Sequence, residues 1–285
     1  MTALFRSLPL NFDGLVSVAT GGARPYGYQS RLAAQGLPDV LRVPTGTGKT
    51  LAAVLPWLYR RCGHPDAEVR KTTPRWLIFV LPQRALVEQT VEVIKGWLGN
   101  LRLDVPVHVL MGGEDTGDRD WKAYPERERI FVGTLDMVLS RLLMRGFAEF
   151  RSVWPMSFGL LHAGVQFVFD EVQLMGPGLP TALQLQGMRE AMGTAMPCRS
   201  MWMSATLQPT ELSTVDSGGS CPSWSSTRKT APARCVFASQ RPDPCAGSSW
   251  ARPTLVDTPR PSPRGWPRSI VAGRGLSWCS TPCSG

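Results

Sequence analysis

The feature that most constrains the fold is a repeated alternation of short apolar runs with longer amphipathic stretches over residues 26–207. The apolar runs carry apolar side chains at both odd and even positions, which is typical of strands covered on both faces. The stretches between them repeat apolar residues every three to four positions, as surface helices do. Strands that alternate with helices predict an α/β fold with a mainly parallel sheet and helices on both faces.

Six strands and four helices are predicted in this region. The predicted strands cover residues 40–44, 76–82, 107–111, 129–134, 165–170 and 200–205. The predicted helices cover residues 49–62, 84–98, 135–146 and 181–192. Ligands of such folds bind beyond the carboxyl ends of the strands, so the residues that follow each strand are the first candidates for function.

The segment VPTGTGKT, residues 43–50, joins the first predicted strand to the first predicted helix. Gly46 and Gly48 allow the backbone to curl so that its N–H groups surround phosphate oxygens. Lys49 is placed to reach the β- and γ-phosphates, and the Thr50 hydroxyl is placed to bind Mg²⁺. The alternative is a glycine-rich turn followed by a chance Lys-Thr pair. The predicted nucleotide-binding residues of this loop are Thr45, Gly46, Thr47, Gly48, Lys49 and Thr50.

The segment FVFDEVQ, residues 167–173, places two adjacent carboxylates at the end of a buried strand. Alternation along the strand sends Asp170 and Glu171 in different directions. Asp170 is suited to hold Mg²⁺, and Glu171 is suited to orient and deprotonate an attacking water. The alternative is a solvated acidic turn.

Two further strand ends carry residues that fit a nucleic-acid backbone. Arg84 follows the strand at 76–82 and is placed to meet a phosphate. Thr134 precedes the helix at 135–146, whose first N–H groups are placed to meet another. A structural cap or surface role is the alternative for each of these two residues.

The cysteines and histidines favour no metal or nucleophilic site. Cys62 and Cys198 stand far apart, which fits a reduced, cytoplasmic compartment. The three histidines are scattered and form no ligand pair. The N-terminal residues have neither the charge nor the apolar run of a signal peptide, and no apolar run reaches membrane-spanning length, so no membrane association is expected.

The last part of the chain has a different composition. Of the net charge of +9, about +7 lies in residues 217–285, which hold nine Lys and Arg, two Asp and no Glu. Ten prolines, four tryptophans and five cysteines also fall there, with few aliphatic residues. We interpret residues 1–213 as one nucleotide-binding domain and residues 214–285 as a low-complexity tail with no domain. Either a frameshift near residues 210–217 or a genuine disordered basic tail explains this composition.

In combination, these motifs resemble the first RecA-like domain of superfamily 2 helicases over residues 26–207. The apolar-Pro-Thr-Gly-x-Gly-Lys-Thr form of the phosphate loop is the helicase variant. The segments VGTLDMVLSRLLMRG, WPMSFGLLHAGVQFVFDEVQLMG and SATL are similar to the CRISPR-associated effector helicases of type I interference systems. The Glu-Val-Gln after Asp170 departs from the commoner Asp-Glu-Ala-His.

The resemblance implies an ATP-driven DNA translocase, and hence an ATP hydrolase, with ATP and Mg²⁺ as cofactors. By this comparison Ser204 and Thr206 couple the ATP state to DNA, with Gln173 as their hydrogen-bond partner, and Gln29 reads the adenine edge. A surface position on a helix is the alternative for Gln29. The implied partners are single-stranded DNA, opened by an RNA-guided CRISPR surveillance complex, and a His-Asp nuclease, fused or separate. Such motors move 3′ to 5′.

Two other functions remain open at this point. One is another superfamily 2 motor, such as a restriction-system subunit, and the other is a non-catalytic ATP-dependent docking module. A complete helicase also needs a second RecA-like domain, which supplies an arginine finger and the motion that pulls DNA. No strand, helix or motif of such a domain is predicted after Leu207. We therefore expect a truncated, antiviral-type helicase that does not unwind DNA alone.

Overall fold

The computed structural model describes residues 11–112, 120–147, 149–206, 212 and 235–237, all within the unit Met1–Pro253. Its strands are β1 (Val40–Arg42), β2 (Trp76–Leu81), β3 (Val107–Leu110), β4 (Arg129–Thr134), β5 (Val165–Phe169), β6 (Arg199–Ser204) and β7 (Cys235–Phe237). Its helices are α1 (Phe12–Thr20), α2 (Gly27–Gln35), α3 (Lys49–Leu58), α4 (Ala67–Thr72), α5 (Arg84–Asn100), α6 (Asp120–Ala123), α7 (Leu135–Leu142), α8 (Trp154–Leu161) and α9 (Gly178–Met192). Within these ranges no helix is both long and apolar enough to cross a bilayer.

All strands belong to one parallel sheet in the order β3-β4-β2-β5-β6-β1-β7. The central strand β2 pairs with β4 from Trp76 opposite Arg129 to Leu81 opposite Thr134. Parallel neighbours require crossover connections, and the helices between the strands provide them. The α/β class with a mainly parallel sheet is therefore confirmed, and the six predicted strands are β1 to β6.

Helices cover both faces of the sheet, as predicted. Every residue of β2 is buried, and its side chains alternate between two apolar cores. Leu77 and Phe79 pack in a core with residues of α1, α2, α3 and α5. Trp76 and Ile78 pack in a second core with residues of α7, α8 and α9. Because both faces of the sheet are buried, functional side chains of the sheet can reach solvent only where the strands begin or end.

The seventh strand was not predicted. Residues 235–237 pair with β1 in parallel, so the expectation that no strand follows Leu207 is wrong for these three residues. Without them β1 would present unpaired backbone groups on one side, and any short extended segment can satisfy such groups whatever its side chains are. The rest of the predicted tail, 214–285, lies outside the described residues.

Candidate functional site

Strand order brings three of the predicted motifs to one place. β5, β6 and β1 are adjacent and parallel, so their carboxyl ends lie side by side. The loop at 43–50 follows β1, Asp170 follows β5, and Ser204 ends β6. Lys49 of the loop and Glu171 are 122 residues apart along the chain, yet the strand order makes them neighbours.

The loop after β1 has the curled backbone that its glycines predict. Gly46 has φ of 76° and Gly48 has φ of 75°, a left-handed region that glycine enters without strain. The Thr47 hydroxyl donates to the Pro44 carbonyl at 2.6 Å and closes the loop on itself. Helix α3 begins at Lys49, and Thr45, Gly46 and Gly48 are exposed. The loop is therefore exposed at the start of a helix, where backbone N–H groups are available to a ligand.

Lys49 contacts both carboxylates of the segment FVFDEVQ, Asp170 and Glu171. Its amine lies 3.6 Å from an Asp170 carboxylate oxygen and forms a closer ion pair and hydrogen bond with Glu171. The side chains of Lys49 and Asp170 are each only 9% exposed. One cation thus neutralises two carboxylates in a nearly dry environment, where an unpaired charge would be costly.

The two carboxylates have different electrostatic environments. Burial raises the pKa of Asp170, and the neighbouring charge of Glu171 adds to this, while Lys49 opposes it. Burial also raises the pKa of Glu171, but hydrogen bonds from Lys49 and Gln173 and the charge of Lys49 outweigh it, so this pKa lies below its ordinary value. Glu171 is thereby held as an ionised base in this arrangement.

The expectation that Asp170 and Glu171 point in different directions is wrong, because both carboxylates meet the Lys49 amine and Glu171 leaves the regular strand conformation. The Asp170 N–H donates to the Val80 carbonyl of β2, so Asp170 still belongs to the sheet edge. Its carboxylate accepts the Glu171 N–H at 2.8 Å. Glu171 itself has φ of 51° and ψ of 47°, a left-handed conformation that costs a non-glycine residue free energy. Such strain at an acidic residue facing a lysine is typical of a functional position.

A chain of hydrogen bonds links the segment SATL, which begins at Ser204, to Glu171. The Gln173 side-chain amide donates to Glu171 at 2.7 Å, and the Ser204 hydroxyl donates to the Gln173 carbonyl oxygen at 2.6 Å. The Ser204 oxygen in turn accepts the backbone N–H of Thr206 at 3.0 Å. The expected bond between Ser204 and Gln173 is present, whereas Thr206 joins through its backbone.

Gln29 lies beneath the phosphate loop. It is 1% exposed, its carbonyl oxygen accepts the Tyr26 N–H at 2.8 Å, and its amide donates to the Gly48 carbonyl at 3.1 Å. Contact with an adenine edge stays a prediction. Tyr28, which the sequence analysis did not single out, also bonds to this loop, with its hydroxyl 2.7 Å from the Thr47 carbonyl. Its position directly before Gln29 is the sequence feature that could have identified it as a site residue.

The two residues assigned to nucleic acid lie on a neighbouring part of the same edge. Leu81, at the end of β2, is paired with Thr134, at the end of β4, so the segments that follow both strands emerge together. Arg84 is exposed at the start of α5 and donates to the Gly112 carbonyl at 2.6 Å. Thr134 is half-buried at the N-cap of α7, where its side chain makes no capping bond. Arg84 follows β2, the neighbour of β5, and Thr134 ends β4, one strand further from β5, while the loop after β1 lies on the other side of β5.

The residues at the edge fit a nucleoside triphosphate with Mg²⁺. The loop supplies backbone donors and the start of a ten-residue helix, and Lys49 supplies a positive charge. Asp170 supplies the carboxylate oxygen that Mg²⁺ prefers, and Thr50 lies half-buried in the first turn of α3. The fold and the residues at the carboxyl ends of its strands together define a RecA-like P-loop nucleoside-triphosphatase domain.

Comparison with known proteins narrows this class. Residues 28–215 match the family model of the DEAD/DEAH box helicases, and the chain belongs to that family. No match is found among curated protein sequences.

Solved structures give the same fold. The helicase MrfA of the DUF1998 group aligns with 73% of this chain at 18% identity and a TM-score of 0.52, and the alignment covers 31% of MrfA. MrfA bound to DNA and AMPPNP aligns with 73% of this chain at 20% identity and a TM-score of 0.51, covering 28% of that protein. Helicase Lhr of Mycobacterium smegmatis, bound to single-stranded DNA and AMP-PNP, aligns at 20% identity and a TM-score of 0.49 over 74% of this chain and 25% of Lhr. The chain thus matches less than a third of the length of these helicases.

Proposed function

We propose that this chain provides the ATP-binding domain of a CRISPR-associated DNA helicase or translocase of type I interference. One observation carries the ATP-binding part of the proposal. A single buried lysine pairs with two carboxylates from a different strand at the mouth of a glycine-rich loop. This arrangement fits phosphate binding and water activation better than a structural turn, because a structural turn gains nothing from burying the charges of Lys49 and Asp170 beside a third charge, Glu171.

Each residue then has a definite task. Lys49 and the loop N–H groups bind the phosphates, and Thr50 and Asp170 hold Mg²⁺, which neutralises the charge of the phosphates when bound. Glu171 accepts a proton from the attacking water, which it can do because a glutamate carboxylate is ionised at neutral pH. Lys49 pairs with Glu171 in this structure, so ATP binding has to draw Lys49 toward the phosphates. Glu171 is then released to face the water.

The DNA part of the proposal is supported by the position of Arg84 and Thr134. Arg84 follows β2 and Thr134 ends β4 at the same end of the sheet, and β2 is the neighbour of β5, which Asp170 follows. A strand of DNA lying across these ends would contact the segment directly beside the ATP site. The MrfA structure with DNA and AMPPNP, which has the same fold, supports joint binding of DNA and nucleotide.

The CRISPR assignment is supported by sequence similarity in the segments 132–146, 154–176 and 204–207. The same resemblance implies a surveillance complex that loads the motor on single-stranded DNA and a His-Asp nuclease that cuts it. A restriction-system motor is the competing assignment. Genes for an RNA-guided complex beside this one would favour the first, and restriction genes would favour the second.

The decisive experiment for function is ATP turnover by the full chain with and without single-stranded DNA. A RecA-like domain without a partner domain lacks an arginine finger, and such a residue typically contributes about 10³-fold or more to turnover. For the ATP-binding domain by itself we therefore expect ATP binding with slow turnover and no unwinding. Robust turnover stimulated by DNA and abolished by Lys49→Ala would show a complete motor instead. ATP binding and DNA binding with no turnover at all would favour the docking module.

A further inference from the structure

A buried tyrosine hydroxyl holds the phosphate loop from below. Tyr28 is 6% exposed, and its hydroxyl donates to the Thr47 carbonyl at 2.7 Å. The Gln29 amide lies 3.3 Å from the same hydroxyl, 3.4 Å from the Thr47 carbonyl and 3.1 Å from the Gly48 carbonyl. Two consecutive carbonyls of the loop are therefore fixed toward α2.

Fixing a carbonyl also fixes an N–H group. A trans peptide is planar, and its C=O and N–H point in opposite directions. The described residues contain no cis peptide bond. The Thr47 carbonyl shares a peptide plane with the Gly48 N–H, and the Gly48 carbonyl shares one with the Lys49 N–H. Because both carbonyls point inward to α2, both N–H groups point outward, to the exposed side of the loop.

The protonation state of Tyr28 suits this task. Burial raises its pKa above the ordinary tyrosine value, although the contacts with Gln29 and Thr47 oppose this. The hydroxyl therefore stays protonated and remains a donor across the neutral range. Its ring also stacks on Tyr26, with centroids 6.2 Å apart, which restricts where the hydroxyl can go.

We propose that Tyr28 is a positioning residue of the ATP site, whose hydroxyl orients the Thr47–Gly48 peptide so that the loop N–H groups face the phosphates. This rests on the proposed ATP-binding function and adds a residue and a role to it. Tyr28 acts on the phosphates, through the loop, and not on the base. Without its hydroxyl the Thr47 carbonyl keeps only the longer 3.4 Å contact with the Gln29 amide, so the peptide is held less firmly and a smaller fraction of the molecules presents the correct N–H groups before binding.

The test uses Tyr28→Phe in the full chain, which removes one oxygen atom and keeps the ring. Affinities for ADP, GDP and inorganic tripolyphosphate are measured by calorimetry with Mg²⁺ present. We expect affinity for ADP and for tripolyphosphate to fall by the same factor, about fivefold, as expected for one lost hydrogen bond. The ratio of ADP to GDP affinity should not change. Tyr124→Phe is the matched control, since this half-exposed tyrosine precedes β4, four strands from β1.

The possible outcomes distinguish a phosphate-positioning role of Tyr28 from a base-reading role and from a lack of ATP binding. Unchanged tripolyphosphate affinity in Tyr28→Phe would overturn the proposal, and so would a loss confined to ADP, which would make Tyr28 a base-reading residue. Failure of the unmodified chain to bind any of the three ligands would contradict ATP binding itself. Amide hydrogen exchange in the unmodified chain provides a measurement that does not depend on the variant folding. Tripolyphosphate should slow exchange at the Gly48 and Lys49 amides, and exchange unchanged at both would also reject the geometry.

Discussion

At the scale of single residues, Gln173 stands between two motifs and bonds to both. Its amide nitrogen donates to Glu171, and its carbonyl oxygen accepts from Ser204. A side-chain amide suits this place because it offers a donor at one end and an acceptor at the other. Any shift of β6 relative to β5 would therefore move the side chain that holds the proposed base.

The link between Ser204 and Gln173 can be measured by a double-mutant cycle. We expect Ser204→Ala and Gln173→Ala to be non-additive in the free energy of unfolding, with a coupling of about 0.5–1.5 kcal/mol. Urea denaturation of the two single variants and the double variant gives the value.

Ser200 provides the matched control for this cycle. It lies on the same strand, but its hydroxyl donates to Gln186 at 2.7 Å. Ser200→Ala and Gln173→Ala should therefore be additive within error. Additivity of Ser204→Ala with Gln173→Ala would show that their bond contributes nothing to stability.

A second residue-scale prediction concerns His162, which is 8% exposed and packs against the ring of Phe158. The pKa of His162 is lowered to about 4, chiefly by burial; a bond to the Leu142 carbonyl opposes this shift and the charge of Arg189 adds to it. The unfolded chain has the ordinary value near 6.5, so below that pH it takes up a proton that the folded chain refuses. This contribution to stability is therefore fully present above pH 7 and is lost as the pH falls from about 6.5 toward 4.

The variant His162→Gln, which keeps a donor for Leu142, tests this sign. Relative to the variant, the unmodified chain should lose about 2 kcal/mol of stability between pH 7.5 and pH 5. Thermal unfolding of both proteins across that range provides the comparison. Melting curves that shift in parallel at every pH would contradict a neutral, buried His162.

At the scale of elements, the edge strand β3 depends on a glycine in its neighbour. A Cβ added to Gly133 of β4 would lie 2.6 Å from both the Cβ and the carbonyl oxygen of Leu110. Backbone atoms cannot move aside as a flexible side chain can, so the two strands would have to separate. The predicted DNA-binding Thr134 directly follows this contact.

We therefore expect Gly133→Ala to destabilise the fold by about 1–3 kcal/mol. Gly96→Ala is the control, because Gly96 is exposed in α5 and an added Cβ meets nothing within 4 Å. That change should be neutral or stabilise by about 0.5–1 kcal/mol. Chemical denaturation of the two variants decides the matter, and equal stability of both would mean that β3 and β4 are not packed as described.

Elements differ in how well the sequence predicts them, and the reason is burial. β2 and β5 are buried at every position, so their apolar runs are unmistakable. Five of the described helices were not predicted, since each has nine residues or fewer: α1, α2, α4, α6 and α8. Strand β7 was missed because its pairing with β1 depends on backbone groups and not on side-chain pattern.

The candidate site was predicted where its residues directly follow buried strands. The loop, Asp170 and Glu171 come at fixed offsets from β1 and β5, so spacing alone placed them. Tyr28 could not be predicted in the same way, because its partner Thr47 lies 19 residues along the chain and is reached only when α2 packs against α3.

At the scale of the whole molecule, the strand order assigns neighbouring parts of one edge to two proposed ligands. The proposed ATP site lies where β5, β6 and β1 end, and the proposed DNA site lies where β2 and β4 end. Because β5 and β2 are paired, the two sites are adjacent, and a movement at Glu171 has a short path to the DNA side. Gln173 and Ser204 connect the strands on the ATP side. This layout gives a physical basis for coupling ATP to DNA within one domain.

The most direct test of this account is equilibrium binding of AMPPNP with Mg²⁺ to the full chain and to Lys49→Ala. Lys49 is the residue that pairs with both carboxylates, and Gly96→Ala provides a control outside the site. The account predicts saturable, Mg²⁺-dependent binding that weakens at least about tenfold in Lys49→Ala, which corresponds to about 1.4 kcal/mol, and is unchanged in Gly96→Ala. Equal affinity in the unmodified chain and a folded Lys49→Ala, or no saturable binding by the unmodified chain, would contradict the assignment of this edge as an ATP site.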